Sequence, residues 1–271
     1  MEVAVKFPKN NFGKRMKSML KVDFRRMFKS RLFYILIACA LLIPILMTVM
    51  MTMMDGSVSV DPQTGVETVI HGPENAWQSI GTLPTADGAA MGGMDVMAMC
   101  NINMMFMLVA VFICLFISDD FRSGYAKNLF TVRVKKGDYV ISKNLAGFVC
   151  GALMLIAYFI GSVLGGAIAG LSFDLYGLTA VNLVMCMLSK IFLMPVFVSI
   201  FTLISVAAKQ KTWLAVCGSL GGGMLLFMMV SMITPLGSTV LNVGLCIAGS
   251  AIFAFGLGAV SKQVLKKTSL V

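Results

Sequence analysis

An all-α integral membrane architecture, six transmembrane helices behind an N-terminal amphipathic interfacial helix, follows from three features of this chain. The first is composition. Of 271 residues, 58% are hydrophobic and 13% charged, and the mean hydropathy is +0.90, which lies outside the soluble globular range. The second is run length. The apolar residues fall in stretches of about 18–25, what a helix needs to cross roughly 30 Å of hydrocarbon, and stretches this long exclude a β-barrel. The third is the placement of charge. With spans at 32–54, 96–118, 144–171, 191–208, 213–233 and 239–260, 21 of the 22 basic residues lie on the side that holds both termini, and only Lys190 does not. The positive-inside bias then puts both termini in the cytoplasm. A net charge of +10 would point to nucleic acid in a soluble protein; placed like this, it does not.

Residues 1–31 form the cytoplasmic N-terminus, strongly basic. From Met16 onward, Met16, Leu20, Phe24, Met27 and Phe28 recur on one helical face, with Lys17, Lys21, Arg25, Arg26 and Lys29 opposite. This pattern predicts a helix lying in the membrane interface, each basic residue adding about 1 kcal/mol of attraction to anionic lipid. The first span, 32–54, contains Pro44, which should kink it. It is too long for the core of a signal peptide, and no cleavage pattern follows.

The outer loop 55–95 carries acids and prolines but no Lys or Arg, the composition of an extracellular segment. After the second span, residues 119–143 form a polar island with nine of the chain's 34 charged residues. As one helix, this island would align Phe121, Tyr125, Leu129 and Phe130 on a single face, an apolar ridge with a basic surround that suits a groove on a soluble partner. The third span holds the pairs Gly147/Gly151, Gly161/Gly165 and Gly166/Gly170, spacings that let helices approach closely. Residues 173–189 read as an amphipathic surface helix leading into a fourth span at 191, which leaves Lys190 at the outer boundary, free to snorkel; a span beginning near Ala180 would instead place it deep in hydrocarbon, as an intramembrane functional lysine. Two tight turns and a basic tail complete the chain.

These features exclude several functions. The spans contain no acid and no histidine, so no catalytic constellation is found, and proton or sodium coupling at the midplane lacks its usual groups. His71 is the only histidine, and the seven cysteines are scattered singly without a CxxC pair; no metal site is expected. No GxxxxGK[ST] motif occurs, so an energy-driven role requires a separate motor. A membrane scaffold or sensor that binds a partner without transport is the alternative of a different class. Of twenty-four methionines, ten lie near the outer ends of the first two spans; Met50, Met54, Met97 and Met104, with Asn101, form a candidate substrate path, since methionine surfaces adapt to varied apolar ligands.

The basic interfacial helix, the six spans, the long first outer loop and the island after the second span together resemble the ABC-2 permease family of bacterial exporters. The family's loop opens on an acidic residue and closes on Pro-x-Ser-Arg and a later Lys. Here Asp120-Phe121-Arg122-Ser123-Gly124-Tyr125 matches the opening and Lys127-Asn128-Leu129-Phe130 the middle. Lys135 and Lys136, with Tyr139 and Lys143, match the close. The chain departs in having Asp120 for Glu, Tyr125 for Thr, and neither the Pro nor the Arg, with Lys136 the candidate replacement for the Arg. The resemblance implies a plasma-membrane permease that pairs two copies with two cytoplasmic ATPase subunits, and it leaves ATP and magnesium to those partners. It implies a coupling role for Asp120, Phe121, Arg122, Tyr125, Leu129, Phe130, Lys135, Lys136 and Tyr139. Leu20, Phe24, Arg25, Arg26 and Phe28, on the interfacial helix, would flank a lateral opening for amphiphiles. Exporters of amphipathic peptides, such as phenol-soluble modulins, and lantibiotic self-protection permeases look most similar; drugs or lipids are the alternative cargo.

Overall fold

The computed structural model describes residues 12–60, 67–69, 72–81, 101–131 and 135–267. Helix α1 (Phe12–Lys29) leads into six long helices: α2 (Arg31–Met53), α3 (Met104–Arg122), α5 (Lys136–Ala169), α6 (Ala180–Ala208), α7 (Thr212–Ile233) and α8 (Val240–Lys267). A short α4 (Tyr125–Thr131) stands between α3 and α5. All six long helices are long and apolar enough to span a membrane, and the chain is a multi-pass membrane protein. An even number of antiparallel crossings leaves α1 and the end of α8 at one end of the bundle, the terminal end. The other, the loop end, carries residues 55–60, 67–69 and 72–81 and the turns before α6 and α8. There Val58–Val60 and Glu67–Val69 pair antiparallel as β1 and β2, in register Val58↔Val69, a small addition to the expected all-helical chain.

Helices α3, α5 and α6 form the interior, while α2, α7 and α8 pack around them. The strongest pairings are α6 with α8, α2 with α5, and α3 with α7. The glycine pairs set the second of these. A Cβ at Gly161 would meet the Leu41 carbonyl and the Pro44 ring, and one at Gly165 would lie 3.0 Å from the Ile45 Cα. Absent side chains on α5 therefore let α2 cross with its backbone nearly touching. Helix α2 continues through Pro44, which is buried in this crossing.

Two expectations are corrected. No surface helix precedes a fourth span at 191: α6 is continuous from Ala180, because Thr179 and Asn182 cap each other reciprocally there, a start signal as strong as the capping box provides. Lys190 consequently does not snorkel. It lies ten residues inside α6, wholly buried, its Nζ donating to Asn103 Oδ1 at 2.7 Å and Thr234 Oγ1 at 3.0 Å. Nor do residues 119–143 form a single polar loop. The end of α3 takes the first part of the stretch and the start of α5 the last, so that α5 runs 34 residues.

Candidate functional site

At the terminal end, one stripe of α1 faces the bundle. Met16, Met19, Asp23 and Met27 are buried there and follow the three-or-four-residue spacing of a helix face. Asp23 is the sole acid between residues 3 and 54, placed on the apolar face of a basic helix, and it sits where a partner waits. Its carboxylate accepts from Ser142 Oγ at 2.5 Å and from Lys143 Nζ at 2.7 Å. Lys143 is shared: its Nζ also lies 2.7 Å from Asp120 Oδ2. Asp120, in the last turn of α3, accepts from Arg26 at 2.5 Å and from the Tyr139 hydroxyl at 2.9 Å. Two buried acids and two bases thus form one network across α1, α3 and α5, with the exposed Asp119 at its edge 3.6 Å from Arg26. Asp23, Asp120, Tyr139 and Lys143 are each at most 2% exposed.

Aromatic rings complete the enclosure. Lys143 Nζ stands 4.0 Å from the Phe116 ring centre, and the Arg26 guanidinium stands 4.4 Å from that of Tyr125 and 5.3 Å from that of Phe116, so each cation has a ring face against it. Burial alone would lower the Arg26 pKa, but the charge and hydrogen bond of Asp120, with Asp23 and Tyr125, together outweigh it and the value is raised. Burial, and after it the Asp23 and Asp120 carboxylates, raises the Tyr125 phenol as well. Both groups keep their protons at any physiological pH. A buried network of this kind is held because removing any one charge strands another in a poor solvent.

The corner that presents this network is built locally. Ser123 Oγ donates to the Asp119 carbonyl at 2.7 Å, and Gly124 follows at φ +72°, a left-handed turn that glycine adopts without strain. The turn ends α3 and reverses the chain into α4. It also breaks the expected aromatic ridge. Phe121 is buried, and Leu129 and Phe130 pack on the core, Phe130 edge-on to Tyr139 at 5.4 Å. The face that α4 offers outward is polar instead: Arg122, Lys127, Asn128, Thr131 and Lys135 are exposed, with Lys136 half-buried and its Nζ on the Leu265 carbonyl of α8 at 2.6 Å.

The remaining expected residues scatter. On α1, Leu20 and Phe24 are half-buried against the bundle, whereas Arg25 and Phe28 are exposed. Met50 and Met54 are exposed at the end of α2, Asn101 is buried with Oδ1 accepting from the Asn103 amide at 2.9 Å, and Met104 is partly buried on the core. Met97 lies outside the described residues. Nearer the network, a groove of about 340 Å³ is lined by Ser30, Leu32, Phe112, Phe116, Asp119 and Arg122, among others, with an apolar floor and opposite charges at its lip. Among the described residues, no cluster of His, Cys, Asp and Glu could hold a metal ion.

One comparison with known proteins is positive. The family described as ABC-2 family transporter protein matches residues 19–225, a stretch that begins inside α1, includes the whole network and ends in α7. No curated protein and no solved structure matches the chain.

Proposed function

The chain belongs to the ABC-2 family of transporter proteins, membrane permease subunits of ABC transporters that work with a separate ATPase, and from that premise we propose that it exports amphipathic molecules, peptides foremost, with the corner α3–α4–α5 as its transmission element. The observation that carries this reading is the buried network. It ties α1 to the two helices that flank α4, so a force on α4 moves interior helices and the interfacial helix together. With 18 of the 19 basic residues described at the terminal end, that end faces the cytoplasm under the positive-inside bias, where a motor can reach it.

The partner meets α4 through its polar side. Arg122, Lys127, Asn128 and Lys135 form the contact surface, and its basic character calls for an acidic patch on the ATPase. Asp120 and Tyr139 act from inside, holding the corner rigid. Two permease copies and two ATPase copies form the assembly. The groove beside Phe112 and Phe116 supports an amphiphile as cargo: its floor accepts an alkyl or aromatic face, and Asp119 and Arg122 accept a charged head. Arg26 borders the groove through Phe116 and Asp119, and Leu20, Phe24, Arg25 and Phe28 lie on the same helix α1.

Co-purification with the ATPase, followed by ATP hydrolysis across a panel of amphipathic peptides, lipids and drugs, tests the reading. The double reversal Arg122→Glu and Lys127→Glu is expected to cost on the order of tenfold in complex affinity through the lost steering and contact charges. Intact binding in the reversed variant would remove α4 as the docking surface. Binding without stimulation by any compound would favour the scaffold over the exporter.

A further inference from the structure

We propose that Lys190 is the latch of a gate at the loop end of the bundle, holding α3, α6 and α7 together in the closed state while its charge favours a hydrated, open one. The ammonium sits on α6 and reaches in two directions. It donates to Asn103 Oδ1, just before α3, and to Thr234 Oγ1, just after α7. Asn103 passes the tie on, its Nδ2 donating to Ser231 of α7 at 2.9 Å. Cys186, one turn from Lys190, donates to the Thr234 carbonyl at 3.6 Å. One cation thus fastens the loop ends of three helices that belong to different parts of the chain.

The partners are all neutral. None of the ion pairs among the described residues includes Lys190, in contrast to the balanced network at the other end. A charge removed from water and given only dipoles is poor cement, since a well-packed apolar side chain would hold the dry state at least as firmly. The arrangement makes sense if the site is wetted in a second state: neutral hydrogen bonds hold it shut, and hydration of the ammonium rewards opening. The helix is also prepared to bend at this place. Pro195 lies five residues beyond Lys190 inside α6, where the ring removes the hydrogen bond to the Ile191 carbonyl. Past that point an aromatic block closes the middle of the bundle, with ring centres of Phe106 and Phe197 4.6 Å apart and those of Phe197 and Phe201 6.0 Å apart. Latch, hinge and plug follow one another along α6.

The purpose of such a gate rests on the permease reading, but its test does not. Cys186 and Cys246 are buried beside Lys190, and Cys150 is buried elsewhere on α5. The full chain in lipid nanodiscs is exposed to a charged maleimide, and mass spectrometry follows each thiol. The measured quantity is labelling of Cys186 and Cys246 relative to Cys150, which corrects for global unfolding. Lys190→Met should slow this relative labelling, and Thr234→Val, which leaves the ammonium Asn103 alone as its acceptor, should speed it. Each change should be about tenfold, the order by which one charge–dipole bond moves a two-state population. Equal labelling in both variants, or shifts of the opposite sign, would overturn the latch. That result would leave the ATPase reading untouched, because no partner takes part in the measurement.

Discussion

Asp120 accepts from Arg26, Lys143 and Tyr139 while wholly buried, so it has more to lose than any other single carboxylate described. Asp120→Asn keeps the shape but leaves Lys143 with Asp23 and Arg26 with only the exposed Asp119, 3.6 Å away. Breaking a buried pair in this way costs about 3–5 kcal/mol, and a corresponding fall in melting temperature of the purified chain in detergent is the expected result. Adding Lys143→Met should recover part of the loss, because it removes the stranded charge. Simple additivity of the two losses would mean that the residues are not coupled. Lysine 190 shows the complementary case, a charge with dipoles for company. Its burial required the neighbours Asn103 and Thr234, which stand 87 and 44 residues away in the chain. No local pattern announces them.

Among the elements, the crossing of α2 over α5 is the most sensitive to a single atom. Gly161→Ala puts a methyl group against the Leu41 carbonyl and the Pro44 ring; neither can yield without moving backbone, and overpacking of that kind costs about 1–3 kcal/mol. Gly244→Ala on α8 is the control, since nothing lies within 4 Å of its added Cβ. Thermal unfolding should separate the two, the first variant falling and the second holding level. A stable Gly161→Ala protein would show that the crossing is looser than described. Helix α4 is the element whose orientation matters most for function. Its apolar residues turn inward because the left-handed Gly124 reverses the chain after α3, and the core lies on that side. Aspartate at Phe121, Leu129 or Phe130 would therefore break the fold and say nothing of docking, whereas charge reversal at Arg122 and Lys127 probes the outward surface.

For the whole molecule, the segregation of basic residues gives a direct prediction. A fluorescent protein fused after Val271 should fluoresce, and alkaline phosphatase in the same place should be inactive; phosphatase inserted at Ser57 should be active. The reverse pattern would invert the topology and with it the side from which an ATPase approaches. The two ends of the bundle also differ in how they treat charge. The terminal end holds a buried ionic network that stiffens the corner, and the loop end holds an ammonium with no ion-pair partner among the described residues, above an aromatic block. Stiff transmission at one end and a metastable closure at the other are what an exporter driven from the cytoplasm needs.

Much of this architecture was open to reading before any coordinates. Hydrophobic run length and the distribution of Lys and Arg are sums over many residues, and such sums survive local errors; six helices and a membrane setting followed from them. The resemblance to the family rests on that same architecture, the interfacial helix, six spans, long first outer loop and the island after the second span taken together. Positions within the bundle were another matter. The Thr179–Asn182 cap was present as a four-residue signal, yet a lysine ten residues later argued for a later start, and only packing could show that Asn103 and Thr234 would receive it. Asp23, an acid on an apolar face, is a signal that the periodicity of α1 passes over, and its partners Ser142 and Lys143 lie about 120 residues away. Periodicity tells which residues share a face of one helix. It carries no information on which helix that face will meet, because long-range pairing is settled by the packing of all the helices at once.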